Sequence, residues 1–243
     1  MPSPDPIDQQ LLQIVTTAQP VTIPDVIQIM QSIDALLPNS DGLKSFNKLY
    51  LMVTQQIDGQ SPAMAWSDAA WVTRLDVVFA GFYFAAIAGF LNGSPETPSS
   101  WDALFEARSS PNIDRIQFAL AGMNAHINHD LALALLKTDS EMNLQPDLQS
   151  LQHDDYQRVN GILAQVLPQA LNFLATGILG EAAQDTGKIG RLLAIWDVAV
   201  ARDAAWTFAD YLRGLPVAAR PVALSIQDKA TGLAGRGLLL PLR

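Results

Sequence analysis

The 243-residue chain has no cysteine, three histidines, and only 15 basic residues against 24 acidic ones. Without cysteine there are no disulfides, thiolate nucleophiles or sulfur-dependent zinc sites, and only histidine, carboxylate and carbonyl ligands remain for a metal. The shortage of basic residues, with a formal net charge of -9, leaves little for counterion release at a phosphate backbone, so no nucleic-acid partner is expected. Long apolar runs are also missing. The longest uncharged one, 77–91, has 15 residues, short of the roughly 20 that a membrane-spanning helix needs, and no membrane span is expected. Residues Met1 to Pro6 have neither the basic start nor the apolar stretch of a secretory signal, which makes a cytoplasmic location the default expectation.

Nearly half of the residues are hydrophobic, which excludes a wholly disordered chain and supplies one substantial core. Apolar residues recur at three- and four-residue spacing, broken by clusters of Pro, Gly, Ser and Asn, while strand-like alternation is nearly missing. The pattern predicts an all-α, single-domain bundle of seven or eight helices over 22–243, after a loose tail over 1–21. The expected helices cover 22–37, 41–57, 68–91, 101–108, 112–137, 153–179 with a bend at Pro168, 190–213, and a last one from Pro221. The 77–91 run, apolar on every side, is the expected central element. The glycine-rich stretch 232–237 reads as a frayed end.

Familiar motifs fail on spacing. Gly187-Lys188 is followed by Ile189 and preceded by a glycine at the wrong distance for a phosphate loop, and 232–237 lacks the preceding strand of a dinucleotide fingerprint. No nucleophile elbow and no His-Glu-x-x-His or Glu-x-x-His pair occurs.

The chemistry concentrates in Asn124-Ala125-His126-Ile127-Asn128-His129-Asp130. On a straight helical wheel His126, His129 and Asp130 share an arc with Arg115, Ala119, Gly122, Leu133 and Lys137, and His126 and Asp130 are neighbours at i,i+4. The arc is either a solvent face carrying a weak surface pair, or a site in which the small Ala119 and Gly122 make room beside His126 for a substrate or another helix. In the second case Asp130 orients the imidazole as a carboxylate orients a general base. Asn124 and Asn128 fall on the apolar face and must be hydrogen-bonded, either as bridges between helices or as the polar floor of a pocket. Asp76, aligned with Val72, Phe79, Ala80, Tyr83 and Ile87, and Asp197, aligned with Val200, Ala201, Phe208 and Tyr211, are both expected to face inward. Arg74, Arg191 or Arg202 would pair with them; without such partners burial raises their pKa. Asp76, Tyr83 and Asp197 are therefore second-line site candidates. His153-Asp154-Asp155 reads as a helix start, and the five tryptophans as core or rim.

The segment Ala121-Gly122-Met123-Asn124-Ala125-His126-Ile127-Asn128-His129-Asp130-Leu131 resembles the signature of a bacterial family of helical proteins with no assigned function. The resemblance extends to 74–79, 101–108 and 155–160; it implies a helical fold and a meaningful Asn-x-His-x-Asn-x-Asp segment, and it supplies no reaction. His126-x-x-x-Asp130 is similar to pairs in zinc phospholipase C and its nuclease relatives, whose sites take more histidines than this chain has. His129-Asp130 is similar to the doublet of His-Asp phosphohydrolases, which need an earlier histidine than any here.

The expectation is an enzyme, or an enzyme-like pocket protein, performing acid–base chemistry such as cyclisation, isomerisation or hydrolysis on a small, largely apolar molecule. His126 would be the acid–base residue, Asp130 its orienter, and Asn124 or Asn128 the donor to a substrate oxygen. No cofactor is predicted. The alternatives are a metal-dependent phosphoesterase with a divalent ion on His126 and Asp130, and a non-catalytic helical binding or scaffold protein.

Overall fold

The computed structural model describes residues 5–59, 66–176 and 197–241, and every element among them is helical. Counting the continuous rod 115–142 once, nine α-helices are described: α1 (Pro6–Thr17), α2 (Ile23–Leu36), α3 (Gly42–Asp58), α4 (Ala69–Leu91), α5 (Ser99–Ala107), α6 (115–142), α7 (Leu151–Thr176), α8 (Val198–Gly214) and α9 (Arg220–Leu238). Their starts follow local chemistry. Thr22 closes a capping box with Asp25 at the head of α2, and the Asp41, Asp68 and Asp197 carboxylates accept backbone N–H groups at the heads of α3, α4 and α8. At the end of α4, Gly93 takes a φ of 65°, where glycine has no steric cost. The expected segment 190–196, with Arg191 and Trp196, and the Gly187-Lys188 pair lie outside the described residues.

The ninth helix is the expected tail. Residues Pro6–Thr17 form α1, begun by the Asp5 carboxylate and packed on α2 and α4, with Leu11 completely buried. Asp8 on α1 also meets Arg108 at 3.0 Å, and Arg108 is held in turn by the Asp41 carboxylate through its Nε and Nη2. The expectation of a loose tail failed because Ile7, Leu11, Ile14 and Val15, at i, i+4, i+7 and i+8, face the core from a helix of little more than three turns.

The most enclosed helix is α6, not the 77–91 run. Residues 116–127 are buried without interruption, and the rod packs against α3, α4, α5, α7, α8 and α9. Helix α4 has one buried face, with Ala85 exposed. It is the one described helix long and apolar enough to cross a membrane by length and composition, a test that core helices also pass.

Glycines set two close approaches. A Cβ on Gly122 would collide with the Phe46 ring of α3, so the space beside His126 is filled by a neighbouring helix. A Cβ on Gly232 would lie 2.5 Å from the Ser99 carbonyl oxygen. The glycine-rich stretch is thus not frayed: it is α9 pressed against α5, and Gly232 lets the two backbones meet.

Two substitutions check this architecture. Leu11→Ala is expected to lower unfolding stability by about 2–5 kcal/mol, as truncation of a fully buried leucine does, whereas a loose tail would give no change. Gly232→Ala is expected to cost about 1–3 kcal/mol by overpacking against main chain. Urea unfolding of both variants reads the outcome.

Candidate functional site

Between Ala125 and Leu131 the rod α6 is interrupted by a π-helical turn, His126–Asp130. Such a turn inserts one extra residue, so the stretch after it is rotated by about 100° against a straight wheel. This is why the wheel placed His126 with exposed Lys137. His126 is 2% exposed and Asp130 1%, and the solvent-face reading of the histidine arc is overturned.

Within the turn His126 Nδ1 and Asp130 Oδ2 are 2.8 Å apart, and the same carboxylate oxygen accepts the Trp101 indole N–H of α5 at 2.9 Å. Phe79 of α4 stacks on the imidazole, with centroids 3.5 Å apart and planes 5° from parallel. Tyr50 of α3 meets it edge-on at 4.7 Å, and Phe46, Tyr83 and Trp101 complete an aromatic cage. The other ring nitrogen, Nε2, is buried with no hydrogen-bond partner among the described residues.

Burial dominates the proton equilibria. It pushes the His126 pKa well below the usual imidazole value and raises Asp130 to about 7, against the lowering effects of His129 and the Trp101 hydrogen bond. The imidazole is therefore neutral, and its tautomer follows Asp130. An ionised Asp130 accepts from Nδ1–H and leaves Nε2 as a bare base; a protonated Asp130 donates to Nδ1 and places the proton on Nε2.

His126 belongs to the wall of a cavity of about 80 Å³ bounded by α3, α4, α6, α7 and α8. The wall is almost wholly aliphatic and aromatic, with Leu49, Tyr50, Val53, Leu75, Phe79, Met123, Val159 and Leu163 among its residues. Asp76 and Arg202 are its charged members. Asp76 is 7% exposed, makes no hydrogen bond or ion pair with a described residue, and is raised to about 7, first by burial and then by the Asp58 charge. The expected salt bridge is not formed: Arg74 pairs with Glu141, and Arg202 bonds to Asn160 and Tyr156.

The remaining candidates lie elsewhere. Asn124 donates to the Thr231 carbonyl of α9 at 2.9 Å and accepts from Asn128 of its own helix, so Asn124 bridges α6 to α9, Asn128 supports it, and neither lines the cavity. The Tyr83 hydroxyl donates to Asn47, itself bonded to the Met30 carbonyl. Asp197 does not face inward. It is the exposed N-cap of α8, accepting from the N–H groups of Ala199 and Val200, because α8 starts immediately after it. His129 meets Gln227 of α9. Asp155, read as part of a helix start, is buried in the first turn of α7 and accepts the Ser67 and Asp68 N–H groups at the head of α4. No group of three or more His, Asp or Glu that could hold a metal occurs among the described residues, so the expected His126–Asp130 pair is without a third ligand there. Phe79, Tyr50 and Trp101 were missed as site residues; apolar periodicity marks them only as core.

The raised carboxyl of Asp76 sets a pH dependence. A group whose pKa rises on folding contributes stability that is complete below its unfolded value near pH 4 and is lost as the pH climbs through about 7. Asp76→Asn is expected to reduce the loss of stability between about pH 4 and pH 8. Denaturation curves across that range, superimposable for the two proteins, would contradict it.

Neither a curated protein nor a solved structure matches the chain. A family model does match, over residues 23–241 and so from the head of α2 to the last described residue, and the chain accordingly belongs to the family of unknown function DUF5995.

Proposed function

We propose that the protein is an enzyme, or an enzyme-like pocket protein, that binds a small, largely apolar molecule in the cavity of His126 and acts on it by acid–base chemistry. One observation carries this reading: a neutral imidazole in the cavity wall has one nitrogen held by a buried carboxylate and the other without a hydrogen-bond partner among the described residues. A buried polar atom left unpaired costs on the order of 1–3 kcal/mol, and functional sites are where such costs persist. Asp130 orients the imidazole, Trp101 fixes Asp130, and Phe79 holds the ring plane.

Asp76 supplies the second proton site. With a pKa near 7 it is present in both charge states at neutral pH, as a general acid or base requires. An imidazole and a carboxyl in one apolar wall suit a proton relocation within a substrate, as in an isomerisation or cyclisation, or the activation of water for hydrolysis.

Wild-type protein incubated with a small-molecule cell extract is expected to convert at least one apolar component, followed by mass spectrometry. His126→Gln, with unfolding behaviour confirmed as native-like, is expected to lower that conversion by at least about 100-fold, the usual contribution of general acid–base catalysis. Undiminished conversion by this variant would overturn the assignment.

A further inference from the structure

Arg202 lies in the second turn of α8, is 6% exposed, and shares the cavity wall with His126. Its guanidinium is fixed by neutral groups. Nε donates to the Asn160 side-chain oxygen at 2.7 Å, Nη2 donates to the Tyr156 carbonyl at 2.8 Å, and the Tyr156 ring lies 4.1 Å beneath it. The Tyr156 hydroxyl donates to the Arg202 carbonyl at 2.6 Å and locks the pairing of α7 with α8.

No carboxylate among the described residues forms an ion pair with Arg202. Asp203, its neighbour in sequence, accepts from Gln157 at 2.8 Å, and the buried Asp155 accepts from backbone N–H groups and from Arg158. Arginine stays charged when buried, and a buried charge without a carboxylate in contact is unfavourable; burial outweighs the favourable charge of Asp203 at longer range. Its fork is only partly used, since Nη1 donates to no described residue.

We propose that Arg202 is the anion-binding residue of the cavity, and that the ligand is a small apolar monocarboxylate whose carboxylate docks on the guanidinium while its hydrocarbon part lies among Phe79, Val159 and Leu163. Three features select this class. A single guanidinium with donors to spare matches one carboxylate. Among the described residues the apolar wall carries no second cation, and Asp76 in the same wall disfavours a doubly charged phosphate ester. The volume of about 80 Å³ is well below the ~150 Å³ of a cavity that admits benzene, which limits the hydrocarbon part to a short chain. The inference rests on the proposed role of the cavity and adds the substrate class to it.

The test compares propanoate with its neutral analogue propanamide by calorimetric titration and by the imidazole resonances of His126. Propanoate is expected to bind at least about tenfold more tightly than the amide, as loss of a buried charge-assisted hydrogen bond implies, and to shift the His126 signals. Arg202→Met is expected to abolish the preference, and Arg202→Lys, which keeps the charge without the fork, to retain part of it. Equal binding of the two ligands with His126 shifted would overturn the role of Arg202 while leaving the cavity a ligand site. Binding of neither ligand would overturn the carboxylate assignment, and His126→Gln with conversion of extract components intact would independently remove the reading on which it rests.

Discussion

One carboxylate oxygen, Asp130 Oδ2, holds the centre of the molecule together. It accepts from the Trp101 indole on α5 and pairs with the imidazole one π turn earlier on its own helix, all within the buried length of α6. A carboxylate so deeply enclosed would be strongly unfavourable without these partners. Their geometry in turn dictates the rest of the centre: Trp101 must lie where its N–H reaches Asp130, and the imidazole must present its face to Phe79. The π turn separates the histidine from the solvent stripe, because the extra residue rotates the stretch from Leu131 onward, with exposed Lys137, against the buried segment that leads into His126.

The same device recurs at the seams. Asp155 on α7 satisfies the N–H groups leading into α4, and Asp228 on α9 does so for Ser99 and Ser100 at the start of α5. Asn124 ties α6 to α9, and Asp41 joins α3 to Arg108 beyond α5. Part of the acidic excess is therefore spent inside, accepting hydrogen bonds across helix junctions. Of the buried polar atoms without a partner among the described residues, three belong to one cavity wall: the Nε2 of His126, Oδ2 of Asp76 and the Tyr50 hydroxyl. Arg202 in the same wall is bonded to the Asn160 side chain and the Tyr156 carbonyl but to no carboxylate among the described residues.

The helical class, most of the α2 to α6 boundaries, the caps at Thr22, Asp41 and Asp68, and the His126–Asp130 pair follow from residue spacing alone, because they depend on contacts within one or two turns. Helix α1 did not: its stripe of Ile7, Leu11, Ile14 and Val15 is only about three turns long and follows a proline-rich start, which reads as a tail. The inward reading of Asp197 failed because its position in a stripe presumed that the helix had already begun there. Asn124 and Asn128 were correctly placed on the apolar face, but which of their two roles they take depends on Thr231, more than 100 residues away in sequence.

Local sequence determined the elements, the buried polar residues and the pairing of an imidazole with a carboxylate, because each is a matter of propensity or of i,i+4 geometry. Only tertiary structure decided whether that pair meets water or an apolar cavity, whether Asp76 finds a cation, and that Arg202 does not find an anion. Those outcomes are set by which helices pack together, and a desolvation cost does not exist until the packing removes the water.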